Sequence, residues 1–262
     1  MSDVEGRPAG TMSTERRYGI AISVALILGG VYWALTSLSE ETKTSHQTYP
    51  VAGTALSIET SSTDLEVRSG DVKEITVDRK FERNALGSDP KDKYDDGKLE
   101  VRDTGCGFLS FGCDTDYVVT VPRDLNVTIK SSSGDLSVTG LGGSTTLESS
   151  SGKIEVHDLS GNVTLESSSG DLEANGLTAG SVTSKSSSGS IELTFRTAPT
   201  TVDVETSSGD AAVLLPEGDE TYKVDTDSKS GDESAEVKID PAATRTIKVR
   251  SSSGDAVVEY DR

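Results

Sequence analysis

Three sets of residues in this 262-residue chain are of types that do chemistry: two cysteines, two histidines and a recurrent Ser-Ser-Ser-Gly-Asp run. Cys106 and Cys113 stand in TGCGFLSFGCDTD, flanked by glycines. Two thiols alone make a poor zinc site, and no histidine lies near them in sequence. In an exported chain such a pair closes a loop as a structural disulfide, worth about 2–3 kcal/mol for so short a ring. Phe108, Leu109 and Phe111 sit inside that loop as an apolar tip, expected either to plug the end of the fold or to contact a partner. Of the histidines, His46 falls in a polar stretch, and His157 occupies a polar-phase position on a strand. A serine hydrolase needs a base within hydrogen-bond reach of its nucleophile, and the chain has no G-x-S-x-G.

The aspartates after the turn are the remaining candidates. Counted from the turn glycine, they are Asp64, Asp135, Asp171, Asp210, Asp232 and Asp255, with Lys153 and Ser190 in the same position of two other copies. A carboxylate column can hold calcium, but calcium β-rolls repeat GGxGxD every nine residues, which this chain does not do. Lys153 also interrupts the column. We read it as a solvated turn ladder and expect no catalytic residue, no metal and no cofactor. A polysaccharide-degrading enzyme built on a β-helix would cluster Asp, Arg or Lys on one face, yet no arginine stands between Arg123 and Arg196. The enzyme reading is therefore the least favoured.

The elements that position these residues come from one repeated phrase. VTIKSSSGDLSVTGL, TTLESSSGKIEVHDL and VTLESSSGDLEANGL place Gly134, Gly152 and Gly170 at a strict period of 18. The phrase continues more loosely through Gly189, Gly209, Gly231 and Gly254, and an earlier copy, ETSSTDLEV, has Thr63 for the glycine, making eight copies. Positions seven and five before the glycine, and two and four after it, are mostly apolar, with polar residues between. That is period-two alternation on both sides of a turn, the mark of strands with one buried face. Stacked about 4.8 Å apart, the copies would set like residue above like. Leu141, Leu159 and Leu177 are expected to point inward at a second bend. Copies six and seven degrade, with Thr226 and Glu233 at apolar positions and an insertion ending in Pro241 intervening, so irregularity is expected there. The fold class is all-β: a single-domain β-solenoid of about seven to eight rungs. With 33% apolar and 5% aromatic residues, the composition suits a narrow apolar ladder better than a globular core. Low hydrophobicity with net charge −19 also fits disorder, but disorder does not phase Val, Ile and Leu.

Outside the repeats, residues 1–17 read as a cytoplasmic tail and 18–38, YGIAISVALILGGVYWALTSL, as a transmembrane helix. At about 1.5 Å per residue such a run spans a bilayer core. Arg16 and Arg17 on one side and Glu40 and Glu41 on the other place the N-terminus inside, by the positive-inside rule. A cleaved signal is the rival, and it too would export the repeats. Residues 39–53 read as a polar linker, and 54–262 as the exported solenoid domain. Within it, 54–122 form an irregular cap region and 123–262 carry the SSSGD repeats. The localisation expected is the cell membrane, single-pass, with the C-terminal domain extracellular. The acidic balance excludes nucleic acid as a partner.

The motif VTVPRDLNVTIKSSSGDLSV, with SSSGD-I/L-x-V units after it and an N-terminal anchor before it, resembles the uncharacterised prokaryotic "putative adhesin" beta-helix family over roughly residues 50–260. The resemblance implies a β-solenoid exported to the cell surface and carries over no catalytic or binding residues. The function expected is non-catalytic, adhesin-like binding of surface glycans or envelope polymers. The alternative is a structural envelope scaffold that self-associates.

Overall fold

The computed structural model describes residue 29 and residues 41–83, 91–102 and 115–261. From residue 41 onward the described chain is all strand, turn and bend. The strands are β1 (Glu41–Pro50), β2 (Ala55–Ser62), β3 (Asp64–Gly70), β4 (Glu74–Arg83), β5 (Lys91–Asp95), β6 (Lys98–Arg102), β7 (Thr115–Pro122), β8 (Asn126–Ser133), β9 (Leu136–Thr139), β10 (Thr145–Ser149) and β11 (Ile154–His157). They continue as β12 (Val163–Ser169), β13 (Leu172–Leu177), β14 (Ser181–Ser188), β15 (Ile191–Phe195), β16 (Thr201–Thr206), β17 (Ala211–Leu215), β18 (Lys223–Ser228), β19 (Glu233–Glu236), β20 (Thr246–Ser251) and β21 (Ala256–Tyr260). Each repeat gives its first strand to one sheet and its second to another. The result is a two-sheet solenoid with an 11-stranded sheet (sheet A) and a 10-stranded sheet (sheet B).

The register follows the repeat. Leu147 pairs with Ile129 on one side and Leu165 on the other, all in parallel. Ile154 likewise lies between Leu136 and Leu172. These apolar columns are fully buried, and Leu141, Leu159 and Leu177 close the second bend with no exposure. Each such side chain removed from water contributes about 1.5–3 kcal/mol, so a thin core suffices when every rung adds to it. Ser184 breaks the ladder: it sits buried between Leu165 and Val204, and its hydroxyl has no partner among the described residues.

The turn needs its glycine for two reasons. Gly170 has φ of 131°, and a Cβ there would lie 2.1 Å from the carbonyl oxygen of Gly152. Both the backbone region and the close stacking exclude a side chain. Thr63 begins the column and its φ is not positive, so a β-branched residue is accommodated.

The rungs do not follow chain order at either end. Strands β6 and β7 pair in parallel outside β2 and β3, forming a ninth rung that the repeat count of seven to eight leaves out. Its Leu99, Tyr117 and Val119 occupy the repeat's apolar positions, Val101 takes the place of the inward Ser or Thr, and all four are buried, but no SSSG stands between the two strands in the sequence. At the far end, the last copy (β20 and β21) inserts between the sixth (β16 and β17) and the seventh (β18 and β19). The sixth copy is regular. The irregularity expected around Thr226 and Glu233 is confined to the seventh, which is the outermost rung.

Within the span 39–53, expected as a linker, residues 41–50 form a strand. Strand β1 pairs antiparallel with β4 along its whole length, from Glu41↔Arg83 to Pro50↔Glu74. Its alternation carries a single inward aromatic, Tyr49, among Lys43, Ser45 and Gln47, so the hydrophobic pattern of a strand is absent even though its backbone pairs.

Candidate functional site

The outward positions of sheet B form the most extended feature of the surface. Four residues before each turn glycine, in copies one to six, stand Glu59, Lys130, Glu148, Glu166, Lys185 and Glu205. Two residues later runs a column of exposed serines: Ser132, Ser150, Ser168, Ser187 and Ser207. Side chains at these positions share one face because the strand period is two, and they stack because the rungs are in register. Between the columns lies an open groove of about 870 Å³. Five rung steps separate Glu59 from Glu205, so it runs about 24 Å along the solenoid axis.

The charges in the groove are unevenly satisfied. Lys130 Nζ donates to Glu148 Oε2 at 2.7 Å, and that bond raises the lysine's pKa. Lys98 Nζ, from the neighbouring rung, lies 2.8 Å from Glu59 Oε2, and its pKa rises chiefly for that reason. Glu166, Lys185 and Glu205 stand one above another in register, with no ion pair within 4 Å among the described residues. The serine hydroxyls of the exposed column make no side-chain hydrogen bond among the described residues, so donors and acceptors face solvent. The hydroxyls one position before them do structural work. Ser131 and Ser149 donate to the carbonyls of Ser133 and Ser151 at 2.9 and 2.7 Å, fastening the turn from inside.

The aspartate column is a ladder of a specific kind. Asp64 Oδ1 accepts from the backbone N–H of Asp135, and Asp135 Oδ1 from that of Lys153, both at 2.8 Å. Asp171 accepts from Ser190, Asp210 from Asp255, and Asp255 from Asp232 in the same way. Each carboxylate thus spends one oxygen on the N–H of the next turn. Among the described residues no group of His, Cys, Asp and Glu is arranged to hold a metal.

A second concavity, about 620 Å³, lies on the outside of sheet A toward the N-terminal end. Its polar lining includes two close pairs: His46 Nδ1 lies 2.6 Å from Asp78 Oδ1, and Lys153 Nζ lies 3.8 Å from Glu155 Oε1. His46 is therefore an exposed strand residue with a carboxylate partner, rather than part of a linker. His157 Nε2 lies 3.4 Å from Glu155.

The open end of the core beside β1 is sealed by a cluster that the alternation pattern does not announce. Arg79 faces inward from β4 and lies 2.5 Å from Asp92 of β5, whose side chain is 1% exposed. Tyr49 donates to the other oxygen of Asp92 and stacks on Tyr94, with ring centroids 4.9 Å apart. Tyr94 in turn donates to the carbonyl of Pro50 at 2.7 Å. Burial and the Asp92 bond push the Tyr49 hydroxyl's pKa well up.

Cys106, Cys113, Phe108, Leu109 and Phe111 lie outside the described residues, as does the span 18–38 apart from Gly29. Among the described residues no helix is long and apolar enough to cross a membrane. The charge column of sheet B is legible from the same spacing that exposes the serines, four residues before each glycine, but alternating signs disguise it as ordinary solvated surface.

Fold and surface together define a two-sheet parallel β-solenoid with out-of-order terminal rungs and a continuous polar groove. The Toastrack DUF4097 family matches residues 54–260, and the chain belongs to it. Two solved structures are similar to it. One, from Clostridium sporogenes ATCC 15579, is described as "a putative cell adhesion protein"; it is 14% identical, with a TM-score of 0.37, covering 84% of this chain and 100% of that one. The other, from Parabacteroides merdae ATCC 43184, is described as "a putative adhesin"; it is 11% identical, with a TM-score of 0.37, covering 84% of this chain and 97% of that one. No curated protein matches the chain.

Proposed function

We propose that this protein is a membrane-anchored, exported binding module, adhesin-like and non-catalytic, whose sheet B groove takes an extended glycan or envelope polymer. The observation that carries the reading is the groove itself, open along six rungs and edged by a column of exposed serines whose hydroxyls have no partner among the described residues. A polymer laid along the solenoid axis meets the same donor set at intervals of about 4.8 Å, so many weak contacts add without a deep pocket.

Anchoring fits the topology of the near end. Glu41 pairs with Arg83, and Phe81 with Thr115, so the segments before 41, after 83 and before 115 all leave from one corner. A helix at 18–38 would hold that corner at the membrane. The solenoid would then project its groove away from the cell.

The test is retention of the full chain, in a mild neutral detergent, on immobilised envelope and extracellular polysaccharides. Saturable retention without release of sugar is the expected result. Retention with steady release of shorter sugars would make the protein an enzyme. No retention on any polymer would overturn the binding reading in favour of a scaffold.

A further inference from the structure

We propose that this protein carries two N-linked glycans, on Asn126 and Asn162, each an oligosaccharide transferred in its own cell from a lipid-linked donor. This rests on the export of the domain in the reading above, and not on what the sheet B groove binds.

The chain has four asparagines, and two of them stand two residues before a threonine, in Asn126-Val127-Thr128 and Asn162-Val163-Thr164. That triplet is the acceptor for N-glycosylation where it lies on the surface of an exported domain. The fold meets the surface condition at both places. Asn126 opens β8 and Asn162 immediately precedes β12, each where the chain leaves the second bend, and both are exposed. Because the strand period is two, Val127 and Val163 point into the core, while each Asn and its Thr share the outward face of sheet B. The bend itself does not call for asparagine: in other rungs Ala55, Ser144, Ser181, Thr201 and Thr246 hold the same place. Asn126 Oδ1 accepts from the N–H of Ser144 at 2.8 Å. Its Nδ2 makes no hydrogen bond among the described residues, nor does the side chain of Asn162. Nδ2 is the atom that reacts. It forms a bond to C1 of the donor sugar, the bond from that carbon to the lipid phosphate breaks, the phosphate leaves with the electron pair, and the amide gives up one proton. Oδ1 is untouched, so the bond from Ser144 survives the modification. Sugars on neighbouring rungs, about 4.8 Å apart, would crowd each other; the two triplets skip the rung between them and stand about 10 Å apart.

Mass spectrometry of the full chain, purified from membranes of the organism that encodes it, tests this. Intact cells are first labelled with a membrane-impermeant amine reagent, which reads export because every lysine of the chain lies at 43 or beyond. The chain is expected to be labelled and heavier than its sequence by two glycan increments, with glycopeptides that map to Asn126 and Asn162. Asn126→Gln and Asn162→Gln should each remove one increment. Thr128→Ala and Thr164→Ala should do the same although both asparagines remain, whereas Thr128→Ser should keep the glycan. Loss of an asparagine's structural role alone would not follow that pattern. A labelled chain with both asparagines unmodified would overturn the inference and leave export standing. An unlabelled chain with both unmodified would overturn export as well. A glycan at one site alone would overturn the paired arrangement.

Discussion

The two ends of the solenoid are closed by opposite means. At the near end the strand direction reverses: β4 and β1 pair antiparallel on sheet A, and β5 on sheet B. The buried Arg79–Asp92 pair, under Tyr49 and Tyr94, then spans the gap between the sheets. At the far end the direction never changes. The most polar copy is placed outermost, with Asp225, Asp227, Glu233 and Glu236 along its edges and Glu233 accepting from the N–H of Ser228 across the exposed turn. Both devices answer the same problem, an open sheet edge that would template further pairing. The near end answers it with specific buried contacts, the far end with charge and solvation. The difference teaches where stability is concentrated and which end can be altered cheaply.

The largest expected effect comes from breaking the far end at its threading. Rung seven reaches the body only through rung eight, since β18 pairs with β20 and β19 with β21. A chain ending at Arg245 therefore leaves β18 and β19 without their partners and bares the edge of β16 and β17. Hydrogen exchange should show protection lost across 223–236 although those residues remain in the chain. Persistent protection there would mean that rung seven docks directly on rung six, and that chain order at this end is a matter of indifference.

Next is the contrast between the two ion pairs. Asp92→Ala leaves Arg79 buried without its carboxylate and should cost about 3–5 kcal/mol by denaturant unfolding. Asp225→Ala removes the exposed partner of Arg250, 3.0 Å away, and should cost under about 1 kcal/mol. Equal costs would erase the distinction between a packed end and a solvated one. A similar contrast holds for the turn column. Gly170→Ala, between two rungs and at positive φ, should cost about 2–3 kcal/mol. Gly231→Ala should cost less, because Gly231 has no positive φ and its outermost turn can move away from Gly254.

The regular part of the fold was legible in the sequence because like residues recur at a fixed spacing. Gly134, Gly152 and Gly170 mark the turn, and Leu141, Leu159 and Leu177 the second bend. Rung order at the ends was not legible, since any copy presents the same alternation to any neighbour and only long-range pairing decides which pairs form. Thr226 and Glu233 were readable as misfits, but their reason, an outermost position, depends on that pairing. Strand β1 was hidden because an antiparallel edge with one aromatic has no apolar rhythm. The ninth rung was hidden because no SSSG stands between β6 and β7 in the sequence. The groove was half legible: its serines stand out, while its charge column changes sign from copy to copy.

The finest distinction between the ends is a matter of pH. Each end buries one tyrosine whose pKa is raised, Tyr49 by burial and then by its bond to Asp92, and Tyr222 by burial and then by the charge of Glu220. A tyrosine raised in the folded state keeps its proton where the unfolded chain has lost it. The stability it contributes is therefore full below the ordinary tyrosine value of about 10 and is lost as pH rises through the folded value. Each group can contribute a slope of at most about 1.4 kcal/mol per pH unit. Unfolding free energies between about pH 9 and about pH 11 should fall for the native chain. The fall should be shallower for Tyr49→Phe, and less so for Tyr222→Phe, because only Tyr49 donates to a buried carboxylate that its own ionisation would repel. Equal slopes in the two variants would show that burial alone sets the alkaline sensitivity, and that the Asp92 cluster adds no electrostatic character to the near end.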